Sequence, residues 1–212
     1  MSLLVKVCGM TRLEDAIACE ELGADFLGFI FHASSPRNVD KEFAGSFKPA
    51  KARKVGVFVR QSAAEVLEIV KGGHFDFAQL HGGQNEQFCK TVGRERVIKV
   101  LWPQRYESVR EFQADIDRFA PFCAYMLFDA GNSGGGHGKS LAFDIFKDVT
   151  IPLPWLLAGG LCAENLTKAV DMAKPYGVDL NSGVESAPGI KDKNKLSAAF
   201  ECIRSDKMRK ES

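Results

Sequence analysis

Eight short runs rich in apolar and β-branched residues recur along the chain, at 3–8 (LLVKVC), 25–31 (DFLGFIF), 54–59 (KVGVFV) and 75–81 (FDFAQLH), then at 96–102 (RVIKVLW), 123–130 (CAYMLFDA), 154–160 (PWLLAGG) and 177–183 (GVDLNSG). Most are continuous rather than alternating, the pattern of strands covered on both faces in a parallel sheet. Amphipathic stretches separate them. The stretch 12–23 brings Leu13, Ile17 and Leu22 toward one face and stops at Gly23. The stretch 62–73 opens with Ser62 followed by Glu65, a capping-box spacing, and ends on a glycine pair. Helices are also expected over 107–120, 163–174 and 191–205, whereas the crossovers after the second, fourth and sixth strands are short or broken by glycine.

Strand and helix thus alternate eight times within about 205 residues, with no composition break or low-complexity linker between them. Such alternation implies a parallel sheet. Eight units suggest an α/β fold closed as a single-domain (β/α)8 TIM barrel over 1–205, leaving 206–212 as a disordered tail. An open doubly wound sheet is the alternative, but CGMTRL supplies only one glycine where a dinucleotide fingerprint needs three.

Composition narrows the function classes. The 28 basic and 27 acidic residues nearly cancel, so no global field favours nucleic acid or an anionic membrane. No run reaches membrane-spanning length, and the start lacks a basic and apolar leader. Six dispersed cysteines without zinc-ligand spacing read as reduced thiols, which places the protein in the cytoplasm. Four scattered histidines give no metal motif. The GGGHGKS stretch fails as a P-loop, because Ser133 stands where a glycine is required.

In a barrel the chemistry belongs at the C-terminal strand ends. Reading only those ends gives Cys8, Arg37 after SSP, His81 in QLHGG, Asp129 in FDAG, Gly159 and Gly160 in LAGGL, and Gly183 in DLNSGVE. The strand interiors look almost wholly apolar by contrast. Glycines after strands seven and eight leave backbone N–H groups open to an anion, and phosphate in barrels commonly sits there. A thiol becomes a base when a nearby positive charge lowers its pKa, and an aspartate becomes an acid when burial raises its own. Cys8 and Asp129 are therefore the proton-handling candidates. Cys19, Cys89, Cys162 and Cys202 fall in helical stretches and read as structural. Arg37 could grip a carboxylate in a bidentate fork or be a solvated loop arginine, and His81 could equally serve backbone groups.

Taken in order, KVCGMTRLEDA, GADFLGFIFHASSPR, QLHG, LFDA with the glycines and FD that follow, LAGGLCAENL and GVDLNSGVESAPGIKDKNKL resemble the phosphoribosylanthranilate isomerase family. The resemblance covers the chain from the first strand to the last helix. It implies a cofactor-independent Amadori rearrangement of N-(5-phosphoribosyl)anthranilate to 1-(2-carboxyphenylamino)-1-deoxyribulose 5-phosphate, in tryptophan biosynthesis, by a monomer or homodimer. It also implies roles: Cys8 as general base, Asp129 as general acid, Arg37 on the anthranilate moiety, and His81 and Asp179 as polar pocket groups. Phosphate would lie on amides around Gly159, Gly160, Ser182 and Gly183. Two features depart from the family pattern. Asn181 replaces the first of two serines after strand eight, and the loop 131–144 is longer than usual. A related isomerase of histidine biosynthesis would place an aspartate where Cys8 stands, and indole-glycerol-phosphate synthase a lysine-rich rim. A ligand-binding protein without activity would have no use for both Cys8 and Asp129.

Overall fold

Eight parallel strands close on one another in chain order: β1 (Leu4–Cys8), β2 (Phe26–Phe31), β3 (Arg53–Phe58), β4 (Phe77–Leu80), β5 (Val97–Leu101), β6 (Tyr125–Asp129), β7 (Trp155–Ala158) and β8 (Gly177–Leu180), with β8 pairing back onto β1. This is a TIM barrel, as the eightfold alternation implies, and the open sheet is excluded by the β1–β8 ladder. The structure, a computed structural model, describes residues 3–131 and 143–210. Most of the long loop after strand six, residues 132–142, lies outside the described residues.

The helices are α1 (Leu13–Glu21), α2 (Lys41–Ser46), α3 (Ala63–Gly72), α4 (Glu86–Val92), α5 (Val109–Phe119), α6 (Ala163–Ala173) and α7 (Lys193–Lys210). The Ser62–Glu65 capping box forms as its spacing predicts, with Ser62 N donating to the Glu65 carboxylate at 2.8 Å. Two of the three indistinct crossovers, those after β2 and β4, are real but short helices, each started by a side chain: Asp40 accepts from Phe43 N at 2.7 Å and Asn85 from Phe88 N at 2.9 Å. After β6 the first described segment is a 3₁₀ turn over Phe143–Lys147.

Two sequence expectations are corrected. In α1 the buried face is Asp15, Ala16 and Cys19, while Leu13 and Ile17 are 40% and 48% exposed. Asp15 takes that place because its carboxylate holds Arg12 and accepts from Lys191 N at 3.0 Å, which ties α1 to the loop beyond β8. The last helix also runs past position 205 to Lys210, so the backbone of 206–210 continues the helix instead of leaving it as a tail.

Successive strand residues point to opposite faces. One face packs against the helices in a continuous apolar layer; the other fills the barrel with Phe26, Val55, Phe77, Ile98, Val100, Leu127, Leu156 and Ala158. At the N-terminal end Phe26, Phe77 and Tyr125 meet edge to face at 5.5–5.8 Å, with the Arg53 guanidinium 4.2 Å over Phe26. This aromatic plug closes the floor, so a ligand enters from the C-terminal end. The interior is nevertheless less apolar than its sequence suggests: Lys6, Gln79 and Asp179 are all buried within it.

Candidate active site

Cys8 ends β1, and the two-residue period places it on the same inward face as Lys6. Gly28, paired with Cys8 on β2, makes the room: a Cβ at position 28 would lie 2.7 Å from the Cys8 Sγ. Below the thiol, Lys6 donates to both carboxylate oxygens of Asp179 at 2.9 Å. Lys6 and Asp179 are register partners across β1 and β8, so the ladder itself sets the pair. Lys6 is wholly buried and Asp179 is 7% exposed. Asp179, which the family resemblance makes a polar pocket group, thus spends both oxygens on a lysine.

Asp129 ends β6, three strands from Cys8 around the barrel and on the same rim. Gly131 N donates to its Oδ1 at 3.1 Å, and its Oδ2 faces His81 Nε2 at 3.9 Å. His81 follows β4, stacks edgewise on Trp102 with centroids 5.2 Å apart, and meets Gln79 Nε2 through Nδ1 at 3.3 Å.

The protonation states follow from burial. Desolvation pushes the Asp129 carboxyl up, against the Gly131 N–H and the positive charges of Arg105 and Lys6. Desolvation lowers His81 to about 4, helped by Lys6, so the imidazole is neutral near pH 7. Burial also pushes the Cys8 thiol up, and Lys6 pulls it back only in part. The expectation of a thiol lowered by a neighbouring charge is therefore half met. The charge is there, but desolvation outweighs it and the resting group is a protonated thiol.

Arg37, on the loop after β2, is gripped by Glu185: Nε lies 2.9 and 3.1 Å from its two oxygens and Nη2 lies 2.6 Å from Oε2. The bidentate fork read from the sequence exists, with a protein carboxylate in it. Glu185 in turn accepts from Lys191 Nζ at 2.8 Å and from Gly189 N at 3.2 Å. Lys191 Nζ also reaches Asn181 Oδ1 at 3.1 Å, so the side chain at the unusual strand-eight position faces this network. A hairpin of β9 (Glu185–Ala187) and β10 (Ile190–Lys191) carries these groups.

The glycine loops meet above β7 and β8. A Cβ on Gly183 would lie 2.1 Å from the Leu161 carbonyl oxygen, and one on Gly159 (φ +118°) 2.2 Å from Gly131 N. These two glycines let neighbouring loops touch. Gly160 (φ +65°) has open space on its Cβ side. Among the described residues the amides of Gly160, Ser182 and Gly183 have no protein acceptor.

The structure thus gathers Cys8, Asp129, His81 and Asp179 in the mouth, and Arg37 and the glycine amides around it. Sequence reading overlooked Lys6, Glu185, Lys191 and Gly28. Lys6 carried a signal, being a cation two residues before Cys8 in an otherwise apolar strand. Glu185 and Lys191 carried none, because only the hairpin brings them to Arg37.

Known proteins share this sequence and this fold. The family model for N-(5'phosphoribosyl)anthranilate (PRA) isomerase matches residues 5–202. The N-(5'-phosphoribosyl)anthranilate isomerase of Maridesulfovibrio salexigens is 73% identical over 203 residues, covering 96% of this chain and 99% of that one. Among solved structures, the phosphoribosyl anthranilate isomerase of Thermotoga maritima superposes with a TM-score of 0.83 at 30% identity over 96% of this chain and 99% of its own. That of Thermus thermophilus gives 0.80 at 35% identity, over 96% and 99%. A barrel that ends β1 in a thiol, β6 in a half-buried carboxyl and β7 and β8 in open amides, matched over nearly its whole length, belongs to the N-(5'-phosphoribosyl)anthranilate isomerase family.

Proposed function

We propose that Cys8 is the general base and Asp129 the general acid of the isomerisation this family performs. The reaction, a step of tryptophan biosynthesis, turns an aldose-derived amine into a ketose. Its product is 1-(2-carboxyphenylamino)-1-deoxyribulose 5-phosphate. A solved relative with 28% identity is described in complex with a reduced form of that product. One observation carries the division of labour: a thiol and a carboxyl raised by burial stand three strands apart on one mouth, the thiol beside a buried cation.

Asp129 holds its proton further toward neutrality than a solvated aspartate and gives it to the furanose ring oxygen. The C1′–O bond breaks and a Schiff base to the anthranilate nitrogen forms. Cys8, as thiolate, then takes the C2′ proton and an enolamine results. Tautomerisation to the ketone removes one proton from the C2′ oxygen and adds one at C1′, which restores both groups. No electron acceptor is needed, since C1′ is reduced as C2′ is oxidised. His81, neutral near pH 7, faces Asp129 across the mouth. The test is a fluorescence assay that follows loss of N-(5'-phosphoribosyl)anthranilate.

Phosphate is assigned to the amides of Gly160, Ser182 and Gly183, with Gly159 shaping the loop. The glycine contacts choose the probing mutation. Any side chain at 183 would strike Leu161, whereas Gly160→Asp would place a carboxylate in open space beside the anion, at a left-handed φ of +65° that aspartate adopts more readily than most residues. That change should raise KM at least tenfold with a smaller effect on kcat; an unchanged KM would remove phosphate from this loop.

Arg37 is assigned to the anthranilate carboxylate through the guanidinium edge that Glu185 leaves free, with Glu185 fixing the fork. A contact made equally in ground and transition states acts on KM. Arg37→Ala should therefore raise KM about 10-fold or more and largely spare kcat. A collapse of kcat at constant KM would make Arg37 part of the chemistry. No described helix is long and apolar enough to cross a membrane, and a cytoplasmic enzyme fits that. A Thermotoga maritima relative is described as dimeric. The assembly assigned here is a monomer or homodimer, to be resolved by sedimentation.

A further inference from the structure

Lys6 is wholly buried among phenylalanines and aliphatic side chains, with none of its surface exposed. A buried ammonium is expensive, costing several kcal/mol before compensation, and an ion pair in its place often adds no stability over apolar residues. Stability alone therefore gives no reason for a lysine in the middle of a barrel layer. Position does. Lys6 lies one inward step below Cys8 on β1, and of its three N–H donors two are taken by Asp179 at 2.9 Å each. Cys8 is the next inward-facing side chain along the strand, and the ammonium acts on it electrostatically.

We propose that Lys6, clamped by Asp179, is the positioning residue that makes Cys8 usable as a base, by placing a fixed positive charge where the thiolate forms. The proposal rests on the assignment of Cys8 above and deepens it. Asp179 has two opposed effects in this arrangement. It holds Lys6 in place, and its own negative charge limits how far Lys6 can favour the thiolate. Four charged groups face the thiol: Lys6 from β1, Asp179 from β8, Lys191 from β10 and Arg37 from the loop after β2. Lys191 and Arg37 share the Glu185 carboxylate, which offsets them. Gly28 on β2 brings no charge. Lys6 exerts the strongest pull on the thiol toward ionisation, and Asp179 opposes it.

The ultraviolet absorbance of thiolate tests this directly. Subtracting the pH titration of Cys8→Ser from that of the parent isolates one thiol among six. Lys6→Met removes the cation, so the Cys8 midpoint should move up by about one pH unit or more, a tenfold loss of thiolate at a given pH. Asp179→Asn removes the opposing anion, so the midpoint should move down. The alkaline break in kcat/KM should follow the thiol in each case. Opposite shifts are the signature, because packing damage has no reason to reverse sign between two partners of one ion pair. Should the single variants fail to fold, Lys6→Met/Asp179→Leu replaces the whole pair, and its midpoint should still rise. The proposal is overturned if the Lys6 variants leave the midpoint in place, or if both single variants move it the same way. The titration reads the thiol whether or not Cys8 is the base, so failure here is separate from retention of turnover by Cys8→Ser, which would instead reject the base assignment.

Discussion

Replacing Cys8 by serine is expected to cut kcat/KM by about 10²–10⁴-fold, the usual loss on removing a general base, with little change in melting temperature. Oxygen is smaller than sulfur, so the pocket opened by Gly28 still fits the side chain. The difference is one of ionisation. A thiol ionises far more readily than a serine hydroxyl, and Lys6 beside it favours the anion. Binding of a product analogue should survive, because Cys8 is assigned a proton and no part of the substrate's charge. The paired readouts are the fluorescence assay and a thermal melt. A near-parental rate in Cys8→Ser would make the cysteine structural and send the search for the base elsewhere on the rim.

Asp129→Asn should cost a comparable factor, about 10²–10⁴-fold, through the ring-opening step. Asparagine keeps the shape and an oxygen able to accept from Gly131 N, so the loop behind β6 keeps its anchor. It has no acidic proton to give. Lost proton donation should fall on kcat with the KM little altered. The double variant should lose much less than the product of the two single losses, since both groups serve one proton sequence. If Asp129→Asn altered KM alone, the carboxyl would be a binding group, and the acid would have to be sought elsewhere on the rim.

Much of this was legible in the sequence because the strands of a parallel barrel are short, apolar and regularly spaced. All eight lie within the runs that periodicity predicted, apart from Arg53, one residue beyond its run at the start of β3. The helical faces were harder. Leu13 and Ile17 point outward because α1 buries an aspartate that answers Arg12 and the backbone of Lys191, a partner 176 residues away in sequence. Cys8 and Asp129 could be found as polar residues at strand ends. Lys6 was hidden by its strand, since a lone lysine in an apolar run reads as an outward or edge residue until the opposite strand supplies Asp179. Arg37 shows the same limit: a fork was one of two readings open to it, and Glu185 reaches it only through the β9–β10 hairpin.

The most direct test of the two-group mechanism is the pH dependence of kcat/KM in the parent and both variants. Burial raises both groups, and the thiol stays the higher of the two. The active form, thiolate with protonated carboxyl, is thus a minor species of constant fraction between the two pKa values. The parent should give a flat-topped bell whose acid break belongs to Asp129 and whose alkaline break belongs to Cys8. Cys8→Ser then needs only the protonated acid, so its residual rate should fall as pH rises through the Asp129 value. Asp129→Asn needs only the thiolate, so its rate should climb until the Cys8 value is passed and then level off. Profiles of opposite slope in the two variants are the predicted result; the same profile in both, or a parental bell retained in either, would contradict it.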